Sequence, residues 1–470
     1  MVRQKRGATS LGWGAMMRLT GQDLAAASSG KWLHDMPDYV QGIGSDTREF
    51  QAGEAFLALR GPSFDGHEHA YQIADQAVAL IGDEQGLAQW KHLEIPQLKV
   101  QDTLQCLGDV AALHRSRLCN TQVVAITGSY GKTTVRSMLE IVLKYLNLHV
   151  AATQANYNNL IGVPQTLLGV GMQADVALIE CGISEQGEML RLSEIVQPDM
   201  VIVTGLSQAH SEGLGGFQGV VQEKSKLMTY LREKGWAVLG QGVLAQFEHA
   251  GCMPKQPIVS MGEDTVAWQL DGQVVTLTYA GQKVAVNILL PAQHWAEDMA
   301  LVATVVLKLG EDMGRAWSLA EIGEALRAWQ PVDGRLMIYN LAQFTLIDDA
   351  YNANPASMQA ALDTLASLEG HRIAIIGDML ELGKDAAALH QKLNLHDIDE
   401  VFTVGSFSAG LQTKWPEKKI HVFRHVDDIV QYLKGQSFPR QQSTVLVKAS
   451  RGTGLQHVVK TLQQRGQHVI

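Results

Sequence analysis

Residues 127–134 read T-G-S-Y-G-K-T-T, with V-V-A-I before them and Val135, Met138, Leu139, Val142, Leu143 and Leu146 after them at helical spacing. A glycine-containing loop between a strand and a helix N-terminus can wrap a phosphate chain, because its backbone N–H groups and the helix dipole both favour anions. In such a loop Lys132 neutralises the β- and γ-phosphates and the Thr133 hydroxyl reaches Mg²⁺. Gly128, Ser129, Tyr130, Gly131, Lys132, Thr133 and Thr134 are therefore candidate ATP-binding residues. The longer form of the motif is not met, since Ile126 stands where its first glycine belongs, and the flanking strand and helix carry the assignment. The competing reading is a plain glycine turn with a surface lysine.

Three further residues could complete a reaction centre. Glu180 ends the apolar strand V-A-L-I-E, and His210 lies just beyond the next strand, M-V-I-V-T. In an open parallel sheet ligands bind outside the carboxyl ends of the strands, so Lys132, Glu180 and His210 should converge. Glu180 supplies the hard oxygen that Mg²⁺ prefers, unless it is only an exposed strand end. His210 read alone is a solvated loop histidine. Lys224 falls on the apolar stripe of Val220, Val221, Leu227, Met228 and Leu231, while Glu223 and Lys226 should point elsewhere. Periodicity slightly favours a lysine snorkelling to the surface; the alternative is a desolvated amine of lowered pKa that takes up carbon dioxide as a carbamate.

The elements that must position these residues form an α/β chain of three domains. Residues 1–107 hold short strand-like stretches (Ala55 to Leu59, Ala77 to Ile81) broken by glycines, which suggests a small α/β domain. From 108 to 331, apolar strands alternate with amphipathic helices, the pattern of a buried parallel sheet with the phosphate loop, and D-G at 271–272 marks a β-hairpin excursion over 265–290. From 332 to 470 a second doubly wound, Rossmann-like unit follows, with strands near 344–348, 373–376, 401–404 and 445–448. The segment 329–335 between them is a candidate hinge.

Bulk properties exclude other classes. With 470 residues, 46% apolar and 18% charged, the chain can build several cores, and no apolar run is long enough to insert in a membrane. A net charge of −10 without a basic block argues against nucleic acid. Cys106, Cys119, Cys181 and Cys252 show no paired spacing and read as buried free thiols of a cytoplasmic protein. The opening M-V-R-Q-K-R-G lacks a following apolar segment and reads as an extension, with Met16 or Met17 as alternative starts.

Taken together, T-G-S-Y-G-K-T-T, E-C-G (180–182), A-H-S-E-G (209–213) and the lysine of Q-E-K-S-K (222–226) resemble the Mur ligase family, ATP-dependent amide-forming enzymes of peptidoglycan precursor synthesis. The resemblance runs along nearly the whole chain. It implies two Mg²⁺, one held by Thr133 and Glu180 and one surrounded by Glu180, His210 and a carbamylated Lys224. S-D-T-R (45–48) and G-P-S-F-D-G-H (61–67) resemble the family's uridine-nucleotide domain, which implies substrate contacts for Ser45, Thr47, Arg48 and Asp65. N-Y-N-N-L-I-G-V-P resembles the muramyl-substrate loop and implicates Asn156, Asn158 and Asn159. D-D-A-Y-N-A-N-P and G-D-M-L-E-L-G match the branch that adds D-Ala-D-Ala to UDP-MurNAc-tripeptide, implicating Tyr351, Asn352 and Asn354.

By the same resemblance Asp349 binds the ATP ribose, Arg335 the nucleotide phosphates and His294 the adenine side, where Trp295 and Asp298 replace two asparagines of the family pattern. Tyr130 replaces a small residue, and Ala449, Ser450 and Arg451 stand at a third-domain motif. The implied reaction activates the tripeptide carboxylate as an acyl phosphate that the dipeptide amine then attacks, in a monomer. The alternatives are the sister ligase that adds the third amino acid, a folylpolyglutamate synthase-like ligase, and an ATP-binding module without catalysis.

Overall fold

The computed structural model describes residues 19–209, 211–435 and 442–467. His210 and the opening residues with Met16 and Met17 lie outside the described residues. The central sheet has six parallel strands in the order Ile258–Ser260, Trp236–Leu239, Met200–Val203, Gln122–Thr127, Val176–Glu180, Val150–Ala152. Its strands are apolar along their length because helices cover both faces, so no side of the strand can be polar. Gln122–Thr127 sits between strands that leave in opposite directions, and Glu180 is in register with Ile126 and Val203 with Thr127. That register brings the phosphate loop, Glu180 and Thr204 out at one edge, in the crevice where a doubly wound sheet reverses.

The hairpin expected at 265–290 is a three-stranded antiparallel sheet, Ala267–Asp271, Val274–Tyr279 and Gln282–Asn287, with Gly272 at φ 55° in the D-G turn. Val275, Leu277 and Val286 pack it onto the same core as the long helix Gln293–Asp312 and the phosphate-loop helix Lys132–Tyr145. That core continues into the third domain through Met358, Ala361 and Leu362, so the nucleotide domain and the last domain share apolar surface.

The third domain is a six-stranded sheet, ordered Met337–Asn340, Phe344–Asp349, Ser443–Lys448, His371–Gly377, Glu400–Val404, Lys419–Phe423. The four interior strands match those expected from sequence. The two edge strands, M-I-Y-N and K-I-H-V-F, are half exposed and lack the fully apolar run that marks the others.

The first domain carries a five-stranded mixed sheet. The division drawn at 107/108 falls inside the helix Thr103–Arg117. Cys106, Leu107 and Val110 on it join the first-domain core, whereas Ala111 joins the central one. Arg115 on this helix is buried, donating to the carbonyls of Val196 (2.9 Å) and Gln197 (2.8 Å) and to Asp199 (2.8 Å). The helix therefore belongs to both units. Cys106 and Cys181 are buried free thiols as expected; Cys119 is exposed, in the turn after this helix, and Cys252 is intermediate, packed at the margin of the central core. Among the described residues no helix is long and apolar enough to cross a membrane.

Candidate active site

The phosphate loop closes over its own strand edge. Gly128 and Gly131 have φ of 153° and 81°, and a Cβ on Gly128 would stand 2.1 Å from Thr204 Oγ1, so the tight path demands glycine. Ser129 N–H donates to the Gly205 carbonyl (2.7 Å), and the Tyr130 ring lies against Gly205, where a Cβ would come within 2.4 Å of Cζ. With Gly131 as N-cap, no side chain caps the helix Lys132–Tyr145, and its first N–H groups face the crevice.

Lys132 Nζ folds back onto the Gly128 carbonyl at 2.6 Å. Burial lowers its pKa to about 8; Glu180 opposes that shift and Arg335 adds to it. Glu180 is buried rather than an exposed strand end. Its Oε2 accepts from Thr133 Oγ1 (3.1 Å) and its Oε1 from Arg136 Nε (2.7 Å). Arg136 was not singled out in the sequence, although it lies three residues beyond Thr133 and so on the same helix face. Lys224 does not snorkel: it is fully buried, its Nζ makes no hydrogen bond or ion pair among the described residues, and burial pushes its pKa well below that of an ordinary lysine, with Lys132 adding to the shift. Glu223 does not point away either. It is buried, and its Oε1 accepts the N–H groups of Gly187 (2.7 Å) and Met189 (3.3 Å), capping the helix Glu188–Val196.

Lys132, Thr133 and Lys224 open into one cavity of about 700 Å³ between the central and third domains, while Glu180, Arg136 and Glu223 lie behind its lining. Residues 129–134, Asn156, Asn158, Asn159, Lys224, His294, Arg335, Asp349, Tyr351, Asn352 and Asn354 all line it. Asp349 is buried: Lys448 Nζ donates to its Oδ2 at 2.6 Å and to the Asn352 carbonyl at 3.1 Å. Lys448, too, was passed over in the sequence; an ammonium inside an otherwise apolar strand, V-L-V-K-A, is the signal it offers. Arg335 lies over the Tyr351 ring (4.3 Å), with Arg451 on the same ring at 5.5 Å. Asn354 caps the helix Pro355–Ala366 and donates through Nδ2 to the Ser129 carbonyl (3.0 Å), tying the third domain to the phosphate loop. Burial lowers the His294 pKa to about 4 and raises that of Asp298 well above the carboxylate range.

Ser45, Thr47, Arg48 and Asp65 do not reach this cavity. Ser45 Oγ accepts from Gln165 Nε2 (2.7 Å) beside the asparagine loop, Thr47 meets Gln72 (3.4 Å), Arg48 pairs with Asp46, and Asp65 pairs with His67 (2.6 Å) and Arg60 (3.1 Å). No group of three or more His, Cys, Asp or Glu side chains that could hold a metal ion occurs among the described residues. The donors that are present, one hydroxyl and one carboxylate oxygen beside a phosphate loop, fit Mg²⁺, which takes most of its ligands from phosphates and water.

The chain matches three family models: Mur ligase family, catalytic domain, over residues 39–115; Mur ligase middle domain over 126–306; and Mur ligase, glutamate ligase domain, over 334–451. It is 32% identical over 444 residues to the UDP-N-acetylmuramoyl-tripeptide--D-alanyl-D-alanine ligase of Escherichia coli K12, covering 91% of this chain and 94% of that one. The enzyme of the same name from Haemophilus influenzae is 30% identical, with 96% and 99% covered. Among solved structures, MurF from Acinetobacter baumannii superposes with a TM-score of 0.85 at 29% identity, covering 96% and 100%. MurF ligase from Thermotoga maritima in complex with ADP shares the fold, with a TM-score of 0.76 at 21% identity over 90% and 97%.

Proposed function

The chain belongs to the Mur ligase family, and from that membership together with the site we infer an ATP-dependent ligase that joins D-Ala-D-Ala to UDP-MurNAc-tripeptide. The observation that carries the reading is the single cavity in which the phosphate loop and Lys224 face Arg335, Asp349 and Asn354 of the third domain.

The γ-phosphoryl group of ATP passes to the tripeptide carboxylate, giving an acyl phosphate and ADP. The dipeptide amine adds to its carbonyl, and the tetrahedral species expels phosphate and leaves the pentapeptide amide. Two anions must first be brought together, and that repulsion is what the site has to offset. Lys132 sits at the helix N-terminus to take the β- and γ-phosphate charge, and Arg335 adds a second cation on the third-domain side. Asp349, fixed by Lys448, offers a carboxylate oxygen to the ribose hydroxyls. Thr133 and Glu180 are the residues that would hold Mg²⁺, which, when bound, withdraws charge from the phosphoryl oxygens. Burial of Lys224 disfavours its ammonium form and suits it to take up carbon dioxide, and its carbamate with Glu180 and His210 would extend the donor set for a second ion. Asn156, Asn158 and Asn159, which line the cavity, would face the muramyl end of the substrate, and Ser45, Thr47, Arg48 and Asp65 of the first domain, outside that cavity, its uridine nucleotide. Domain limits of 1–107, 108–331 and 332–470 follow these three tasks. A monomer acting in the cytoplasm is part of the same reading.

ADP release coupled to a reporter, with UDP-MurNAc-tripeptide and with or without D-Ala-D-Ala, tests the reading. Turnover that requires both substrates is expected. Release indifferent to the dipeptide would favour a bare ATP-binding module, turnover of UDP-MurNAc-dipeptide with a single amino acid the sister ligase, and turnover with a folate the folylpolyglutamate branch; any of these sinks the reading.

A further inference from the structure

The phosphate loop divides the cavity in two. On the side of the strands Val176–Glu180 and Val150–Ala152 stand Asn156, Asn158 and Asn159. On the other side Gly240 follows the strand Trp236–Leu239 and Met261 follows Ile258–Ser260, and with Trp268, Leu301, Ala356 and Ala360 they line a largely apolar end. With phosphates on the loop and the muramyl substrate at the asparagines, the nucleotide base belongs in the apolar end.

Two polar side chains of one helix reach into that end. His294 and Asp298 stand one turn apart on Gln293–Asp312, and both line the cavity. Asp298 is turned toward the phosphate loop, where a Cβ on Gly131 would lie 3.4 Å from its Oδ1. Among the described residues it makes no hydrogen bond and no ion pair. The cationic side chains of the cavity are engaged elsewhere: Lys132 with the Gly128 carbonyl (2.6 Å), Lys448 with Asp349 (2.6 Å), Arg335 and Arg451 with the Tyr351 ring (4.3 and 5.5 Å). Burial disfavours the charged form of Lys224. The titratable neighbours of Asp298 are Glu297, Tyr130 and His294, and none is positive at neutral pH, since His294 titrates at about 4. Burial and the Glu297 charge both push the Asp298 pKa up. An unpaired carboxylate here would also repel a triphosphate on the loop, so bound nucleotide favours the protonated acid.

A protonated carboxyl group carries one O–H donor and one carbonyl acceptor, the pair that a side-chain amide offers. Adenine carries the complement, N7 as acceptor and the 6-amino group as donor, along the edge that lies nearest the phosphates in an anti nucleotide. We propose that Asp298 selects the base as a neutral carboxylic acid, donating its O–H to N7 and accepting an N–H of the 6-amino group. This rests on the reading of the chain as an ATP-using ligase. An ionised Asp298 would accept from the amino group but would set a second lone pair against N7, so the proton is what makes the residue discriminate.

Calorimetric titration of the full chain with ADP and with 7-deaza-ADP, in Mg²⁺ at pH 7, tests this in the wild type, Asp298→Asn and Asp298→Ala. The wild type should bind ADP about tenfold more tightly, because the C7–H of the analogue leaves the acid O–H without an acceptor. Asp298→Asn has one donor and one acceptor to offer and should retain the preference. Asp298→Ala should bind the two alike, at about the wild-type strength for 7-deaza-ADP, and that binding reports that the variant folds. A second readout is independent of affinity. The infrared difference between ADP-bound and free wild type should contain the carbonyl stretch of a protonated carboxyl group, shifted in D2O, and Asp298→Asn should lack it. Equal binding of the two nucleotides by the wild type, a preference that survives in Asp298→Ala or vanishes in Asp298→Asn, or a wild-type spectrum without that band overturns the proposal. No ADP binding by the wild type defeats the ATP-using reading itself, whereas binding without base discrimination defeats only the role of Asp298.

Discussion

The two oxygens of Glu180 face different groups, Oε2 toward Thr133 and Oε1 toward Arg136, and that division sets how much of the carboxylate is left for a cation. With Oε1 held by a guanidinium in the core, Glu180 can offer a metal only one oxygen, the mode Mg²⁺ tolerates best. Arg136→Ala should therefore raise the Mg²⁺ concentration for half-maximal ADP binding by about tenfold, and Arg136→Lys by less; calorimetric titration of ADP at several Mg²⁺ levels checks it. Lys224→Ala should abolish turnover while retaining the fold, and added short carboxylates such as acetate should restore part of it by standing in for a carbamate. An unimpaired variant would remove the carbamate from the mechanism. His294 gives a pH signature. Its folded pKa of about 4 lies below the free value of 6.5, so the unfolded chain takes up a proton first as pH falls. Its contribution to stability is thus lost from about pH 6.5 downward and levels off near pH 4, about 2 kcal/mol of it by pH 5. His294→Asn should lose less stability than the wild type between pH 7.5 and 5 in denaturant titrations.

At the scale of elements, the helix Pro355–Ala366 is held by one residue with two tasks. Asn354 caps it through Oδ1 to Ser357 N–H (2.9 Å) and reaches the phosphate loop through Nδ2. Asn354→Ala should cost about 1 kcal/mol of stability as a lost cap, and ADP should bind more weakly because the Ser129 carbonyl loses its donor. Asn354→Asp keeps the cap but not the donor, so it should spare melting temperature and still weaken ADP. Elements of this kind were legible to very different degrees. Strands buried on both faces, such as V-V-A-I-T and V-A-L-I-E, declare themselves by uninterrupted apolar residues, and the phosphate loop by its glycines between a strand and a helix. Edge strands, at Met337–Asn340 and Lys419–Phe423, carry polar residues on their open face and give no such run. The buried polar partners were the least visible. Arg136, Glu223 and Lys448 look like surface charges in a helical or strand pattern, and only the fold shows that each answers another buried group.

For the molecule as a whole, the cavity lies in the cleft between the central and third domains, so if the segment 329–335 is a hinge, nucleotide enters and ADP leaves as that cleft opens and shuts. In the structure the two are latched: Glu212 N–H donates to the Glu381 carbonyl, and a Cβ on Gly383 would lie 3.5 Å from that of Glu212. The segment joining them is held on both sides, by Trp329 Nε1 on Ser137 Oγ (2.9 Å) and by Tyr351 N–H on the Gly334 carbonyl (3.1 Å), with Gly334 at φ 71° where backbone rotation is cheapest. A Cβ separation of 3.5 Å is within disulfide range, so the pair Glu212→Cys with Gly383→Cys should cross-link on oxidation. Gly383 has φ 60°, which a cysteine adopts at a cost of about 1 kcal/mol, small enough for the reduced double variant to fold. Reduced, it should turn over close to the wild-type rate. Oxidised, it should retain nucleotide trapped before cross-linking, release it slowly, and turn over no more than once; reduction should restore activity. Oxidised wild type is the control for the exposed Cys119. Full multiple turnover by the cross-linked enzyme would mean that substrates and products pass without the two domains parting, and that the segment 329–335 is a linker and not a hinge.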